Sequence, residues 1–153
     1  MYPTTQFLAE EILSSLYSAN AWHYEYLTRR LNSSAGTRWY EDLAATVLAR
    51  LENEIKAGAP MGERMRYAYD TASRLIEAMW QFAKDHPLFV ALVALGILVI
   101  LAPWAVRALG FGELGPVKGS FAAWWQSTYA GYVLAGSLFS FLQRLGMVLV
   151  WVL

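Results

Sequence analysis

The sequence predicts an all-α fold in which amphipathic helices are followed by a tightly packed transmembrane helical hairpin. Three observations carry that expectation. The charges are segregated: residues 1–86 hold nine of the twelve Lys/Arg and eleven of the twelve Asp/Glu, which leaves Arg107, Glu113, Lys118 and Arg144 for everything beyond. The stretch from Leu88 to Val106 has no charge at all. Between Gly115 and Ala135 every fourth residue is small: Gly115, Gly119, Ala123, Ser127, Gly131 and Ala135. The chain therefore divides into an amphipathic helical region, 1–86, and a membrane region, 87–153.

The first helix is expected from about Thr5 to Leu31, with Leu8, Ile12, Leu16, Asn20, Tyr24, Leu27 and Leu31 at helical spacing. Met1 to Leu31 lacks a basic leading segment, and Glu10, Glu11, Ser14 and Ser15 interrupt its apolar residues, so it does not read as a signal peptide. Asn32-Ser33-Ser34-Ala35-Gly36 breaks the pattern; its glycosylation sequon reads as an unmodified turn. The second helix covers about Thr37 to Ala57, with Tyr40, Ala44, Val47, Leu48, Leu51 and Ile55 on one face and Gly58 as its stop. The third runs from about Met61 to His86, aligning Met61, Met65, Ala68, Ala72, Leu75, Ile76, Met79 and Ala83. Such stripes need something to pack against. A small three-helix bundle, other subunits and a membrane surface all qualify, although mixed charge disfavours anionic lipid.

The membrane region opens at Pro87. Twelve of the nineteen residues from Leu88 to Val106 are Leu, Ile, Val or Phe. At 1.5 Å per residue a helix of that length covers roughly 28 Å, close to the hydrocarbon thickness of a bilayer. A helix apolar all round could also be the core of a soluble fold, but 86 preceding residues look too few to wrap it. The sequence therefore places this helix, about 88–108, across a membrane, with Pro103 as a kink and Trp104 at the interface.

Gly110-Phe111-Gly112-Glu113-Leu114-Gly115-Pro116 reads as a turn, and Pro116 suits the first turn of a following helix. That helix, about 117–145, has 25 uncharged residues but includes Ser120, Gln126, Ser127, Thr128, Ser137, Ser140 and Gln143. It is a marginal span by itself and needs close contact with other protein. The small-residue ridge offers that contact, as it does where helices associate in lipid. The apolar tail 146–153 either continues the helix, re-enters the bilayer or fills a neighbour's groove. His86, Trp104, Arg107, Lys118 and Arg144 mark the expected membrane boundaries; basic residues are nearly balanced across it, so orientation is undecided.

Several chemistries are excluded or unsupported. The formal net charge is zero, with no basic cluster for nucleic acid. There is no cysteine, hence no disulfide, thiol catalysis or thiolate metal site. His23 and His86 are the two histidines, too few for an ordinary zinc site. Glu10-Glu11, Glu41-Asp42 and Glu52/Glu54 read as solvated helix faces. Gly136-Ser137-Leu138 lacks the hydrolase elbow, and the glycines around 110–119 follow no strand. Trp124 and Trp125 read as lipid-facing or interface packing. No catalytic, cofactor or metal residue is assigned, and no small-molecule substrate is identified.

The stretch from Leu109 to Gly146 resembles the interferon-alpha-inducible protein 6/27 family of small integral membrane proteins. The residues that carry the likeness are Gly110-Phe111, Gly115, Gly119-Ser120, Ala122-Ala123, Gln126-Ser127, Ala135-Gly136-Ser137-Leu138, Leu142-Gln143 and Leu145-Gly146. Arg144 departs from the pattern, the chain has no long glycine-rich tail, and residues 1–86 have no counterpart in it. The resemblance implies an intracellular organelle membrane (mitochondrial or endoplasmic reticulum), no enzymatic activity, and a link to cell death or innate defence. Taken together, the expectation is a non-enzymatic integral membrane protein that homo-oligomerises through the ridge and organises or remodels a lipid bilayer. The alternative is an oligomeric channel with Ser, Thr and Gln lining a lumen.

Overall fold

Thr4 starts the first helix by accepting the Phe7 N–H on its hydroxyl at 3.1 Å, which satisfies a donor that the first turn leaves open. Helix α1, Thr5–Tyr17, then buries Leu8, Ala9, Ile12, Leu13 and Leu16 on one face. Helix α2, Thr37–Lys56, buries Leu43, Ala44, Val47, Leu48 and Leu51 in the same way and carries Lys56 in its last turn, where a cation suits the helix dipole. Helix α3, Glu63–Trp80, buries Met65, Ala68, Ala72 and Ile76. Over their described lengths these stripes follow the predicted spacing, except that Ala83, expected on the third, is exposed beyond the end of its helix. The computed structural model describes residues 4–17, 37–112 and 115–146. The expectations for 18–31, the sequon at Asn32, the side chain of Tyr40 and the tail 147–153 lie outside the described residues.

Helix α3 stops at Trp80 rather than near His86. Gln81 adopts the left-handed conformation (φ 55°) and donates its N–H to the Glu77 carbonyl, closing the last turn. The chain re-enters a helix at α4, Phe89–Leu101, and again at α5, Pro103–Ala108. Two short strands follow, β1 (Phe111–Gly112) and β2 (Gly115–Pro116), antiparallel with Phe111 opposite Pro116. Pro116 thus closes a strand pair instead of opening a helix. Helices α6, Phe121–Tyr129, and α7, Ala135–Arg144, complete the described chain.

The expected transmembrane hairpin is corrected by this architecture. Among the described residues no helix is long and apolar enough to cross a membrane. Its first arm breaks at Ala102 (φ −143°, ψ 59°). Proline has no N–H to continue the ladder and pushes the residue before it out of the helical region, so Pro103 ends one helix and begins another. Helix α4 has 13 residues, roughly 20 Å. The second arm divides into α6 and α7 of nine and ten residues, separated by the turn around Gly131.

Helix α4 also proves to be wrapped after all. Leu92, Val93, Ala94, Leu95, Ile97 and Leu98 are completely buried. Helices α2 and α3 pack directly on α4, α1 packs on α2 and α3, α5 on α2, and α7 reaches α3. One hydrophobic cluster runs through all of these helices and across Pro87. At Gly96 an added Cβ would come within 2.8 Å of the Ala72 Cβ and 3.1 Å of the Phe141 ring, so hydrogen alone lets α3 and α7 approach this closely. The wrapping suffices because the rod is only 13 residues long: α2 and α3 lie directly on it, and α1 backs them.

The functional expectations built on the hairpin are corrected with it. With no spanning helix among the described residues, the integral location in an organelle membrane, the lipid bilayer as partner, the membrane-remodelling role and the channel alternative lose their footing. So does the homo-oligomer, which required one continuous ridge.

Candidate functional site

The loop from α3 to α4 is held by aromatic rings rather than by backbone ladders. Phe82 stacks on His86 with centroids 4.0 Å apart and planes 8° off parallel, and lies 6.2 Å from Trp80 on its other side. Trp80 meets Phe141 of α7 edge-on, and Tyr132 meets His86 edge-on at 5.5 Å. His86 Nδ1 accepts the Leu88 N–H at 3.1 Å, which leaves the proton of the neutral ring on Nε2. The imidazole is therefore a structural clasp between this loop and the chain around Tyr132.

A second feature lies just beyond. Ser120 caps α6 by accepting the Ala123 N–H at 3.2 Å. Ala122 and Trp125 turn inward, where Trp125 packs against Phe111 and Tyr129. The opposite side of the same helix carries Trp124, which is 57% exposed. Val117, Tyr132 and Leu134 are exposed to a similar degree. The turn that presents Tyr132 and Leu134 is pinned by a hydrogen bond from the Gln126 side-chain amide to the Val133 carbonyl. Four large apolar side chains are thus offered outward from an anchored frame. All four belong to one stretch of 18 residues, 117–134.

The six ridge residues fall on five different parts of the structure. Gly115 is in β2, Gly119 in the turn before α6, Ala123 and Ser127 on α6, Gly131 in the next turn, and Ala135 at the start of α7. They do not share a helix face. The boundary residues are scattered likewise. Trp104 is buried in α5 rather than at an interface; Arg107, Lys118 and Arg144 are exposed; His86 is the clasp just described. Trp124 and Trp125, adjacent in sequence, part company as the helix requires, one out and one in.

The acidic pairs behave as solvated faces with two exceptions. Glu10 forms an ion pair with Arg50 at 2.9 Å, tying α1 to α2, and Arg50 also bonds Gln6. Burial pushes the Tyr17 hydroxyl up to about 12, helped by the neighbouring Glu54 carboxylate. Burial likewise raises Glu54, against the opposing pull of Tyr17 and Arg50, and raises Glu52 against Lys56. Among the described residues no group of His, Cys, Asp and Glu could hold a metal ion.

Residues 90–152 match the Interferon-induced 6-16 family. No curated protein matches the chain, and no solved structure does. The match contains the expected resemblance at Leu109–Gly146 and extends it back through α4. The matched part supplies the apolar core helix and the outward-facing aromatic segment. The helices that wrap the core, α1 to α3, belong to the unmatched part. Sequence reasoning missed the exposed quartet because Val117, Trp124, Tyr132 and Leu134 do not repeat at one helical period. The signal available was the glycine at 131, which breaks the helix and puts Tyr132 and Leu134 on a turn.

Proposed function

We propose that this chain is a non-catalytic helical interaction module that docks onto a partner protein through residues 117–134. The observation that carries the reading is the concentration in this one short segment of four of the six exposed large hydrophobic side chains found among the described residues. Lys118 is its single charge, so the partner surface it suits is an apolar, uncharged groove able to take an indole and a phenol. Nucleic acid would demand clustered cations instead. The non-catalytic part of the reading is supported by His86, which is engaged as a clasp, and by the similarity of the C-terminal part to the Interferon-induced 6-16 family.

The test begins with a photo-crosslinking residue at position 124 or 132 in living cells, with Tyr67 on α3 as an equally exposed comparison site. One protein should be captured from 124 and 132 and not from 67. Titrated as a pure component, it should bind Trp124→Ser about ten- to a hundredfold more weakly, the range for losing an interfacial tryptophan. Equal capture from position 67, undiminished affinity of Trp124→Ser, or capture by protein-free vesicles alone would overturn the reading.

A further inference from the structure

Outside the aromatic segment, the C-terminal half of α3 forms one wall of a polar cleft of about 300 Å³ lined by Tyr69, Asp70, Ser73, Arg74, Glu77 and Lys84. Asp70, Ser73, Arg74 and Glu77 stand at i, i+3, i+4 and i+7, which puts them on one helix face. Lys84 comes from the loop beyond, carried over by the left-handed turn at Gln81 and held by the Trp80–Phe82–His86 stack. That size lies at the lower end of small-ligand sites, enough for an amino-acid-sized molecule.

Two observations set this cleft apart from an ordinary solvated face. Ser73 is only 6% exposed, yet among the described residues its hydroxyl has no hydrogen-bond partner. Serine and threonine inside helices usually return their hydroxyl to a carbonyl one turn back, as Ser15 does to Glu11 and Thr46 to Asp42. Ser73 does not, and an unmet buried hydroxyl costs stability unless something else satisfies it. The charges around it are also unspent. Arg74 donates through Nε to the Asp70 carbonyl at 3.3 Å, while among the described residues the ion pair is the distant Arg50–Glu10. Two cations and two carboxylates thus surround a buried hydroxyl without neutralising each other directly.

We propose that this cleft binds a small zwitterion of the α-amino-acid class. Arg74 and Lys84 take the ligand carboxylate, Asp70 and Glu77 take its ammonium group, and the Ser73 hydroxyl bonds between them. A simple anion leaves the two acids opposed to it, and a simple cation leaves Arg74 and Lys84 opposed; only a molecule with both charges uses the whole lining. The proposal stands on α3 and its following loop, independently of the docking segment.

The experiment is an amide-resolved NMR titration of the full chain with L-glutamine as the probe, with acetate and methylammonium as its two halves. The expected result is saturable shifts confined to residues 69–84 with glutamine, and none that saturate with either half. Arg74→Gln and Glu77→Gln, both exposed changes, should each weaken binding about tenfold or more, the effect of losing one charged contact. Ser73→Ala should weaken it several-fold while raising the melting temperature of the free protein, because the unmet hydroxyl is gone. Shifts that never saturate, acetate shifts equal to those of glutamine, or wild-type binding by Arg74→Gln would each overturn the assignment.

Discussion

Phe89–Leu101 and residues 119–143 are both free of charge, and they meet opposite surroundings. Along α4 a run of apolar residues with Gly96 at its middle lets helices settle on several sides, and nearly every side chain is buried. In the later stretch Gly131 and the turn beside it divide the chain into α6 and α7, each amphipathic, and side chains as large as Trp124 and Tyr132 are left outside. Absence of charge is therefore a poor guide to burial. What decides is how long a helix runs before something breaks it, and how much partner surface is within reach.

The sharpest way to break the comparison is to put the same charge into both regions. Leu95→Asp places an unpaired carboxylate among fully buried side chains and should abolish cooperative unfolding in denaturant. Even the gentler Leu95→Ala should cost about 2–5 kcal/mol. Trp124→Asp, on an exposed site, should shift the denaturation midpoint very little. Equal effects at 95 and 124 would mean the two regions are equally buried.

Glycine substitutions give a smaller effect with the same logic. Gly96→Val forces a side chain against Ala72, Phe141 and Leu145 and should destabilise by about 1–3 kcal/mol. Gly131→Ala meets nothing within 4 Å and should leave stability within about 0.5 kcal/mol of the original.

The wrapping helices carry a pH signature of their own. Tyr17 is raised to about 12 from an ordinary 10, so its neutral form is the one favoured by folding. The folded state then holds a proton that the unfolded state releases between pH 10 and 12. Stability should be fully present below 10 and fall as the pH rises through that window. Tyr17→Phe should flatten the fall in thermal melts taken across it. Least of all, Arg50→Ala removes an exposed ion pair between α1 and α2 and should cost no more than about 1 kcal/mol.

Much of the fold is legible in the residues. The stripes of α2 and α3 stand where the spacing puts them, and Thr4 to Tyr17 follows its expected face. The destination of α4 is not, because nineteen uncharged residues fit a bilayer and a crowded core equally well until the break at Pro103 is given its full weight. A proline so near the end of the run reads as a mild kink; it acts as a helix boundary because Ala102 ahead of it leaves the helical region as well. The cleft at Ser73 was hidden for a different reason. Four of its five residues on α3 share a face that can be read from spacing, but Lys84 joins them only because α3 ends in a left-handed turn at Gln81, a residue with no special liking for one. The exposed quartet shares that difficulty, since it is assembled by a turn rather than by a period.

At the heart of the fold α4 lies against α3 in a common core. The chain has no cysteine, so a single engineered pair reports without background. Ala72→Cys with Gly96→Cys brings together positions whose Cβ atoms approach to 2.8 Å, near enough for a disulfide after a small outward shift. Mild oxidation of the purified double variant, read by mobility under non-reducing conditions, should give rapid and nearly complete intramolecular crosslinking, with an Ala72→Cys and Gly131→Cys pair remaining reduced. Failure of the 72–96 pair to close, in protein that still unfolds cooperatively, would place α4 away from α3 and contradict the account.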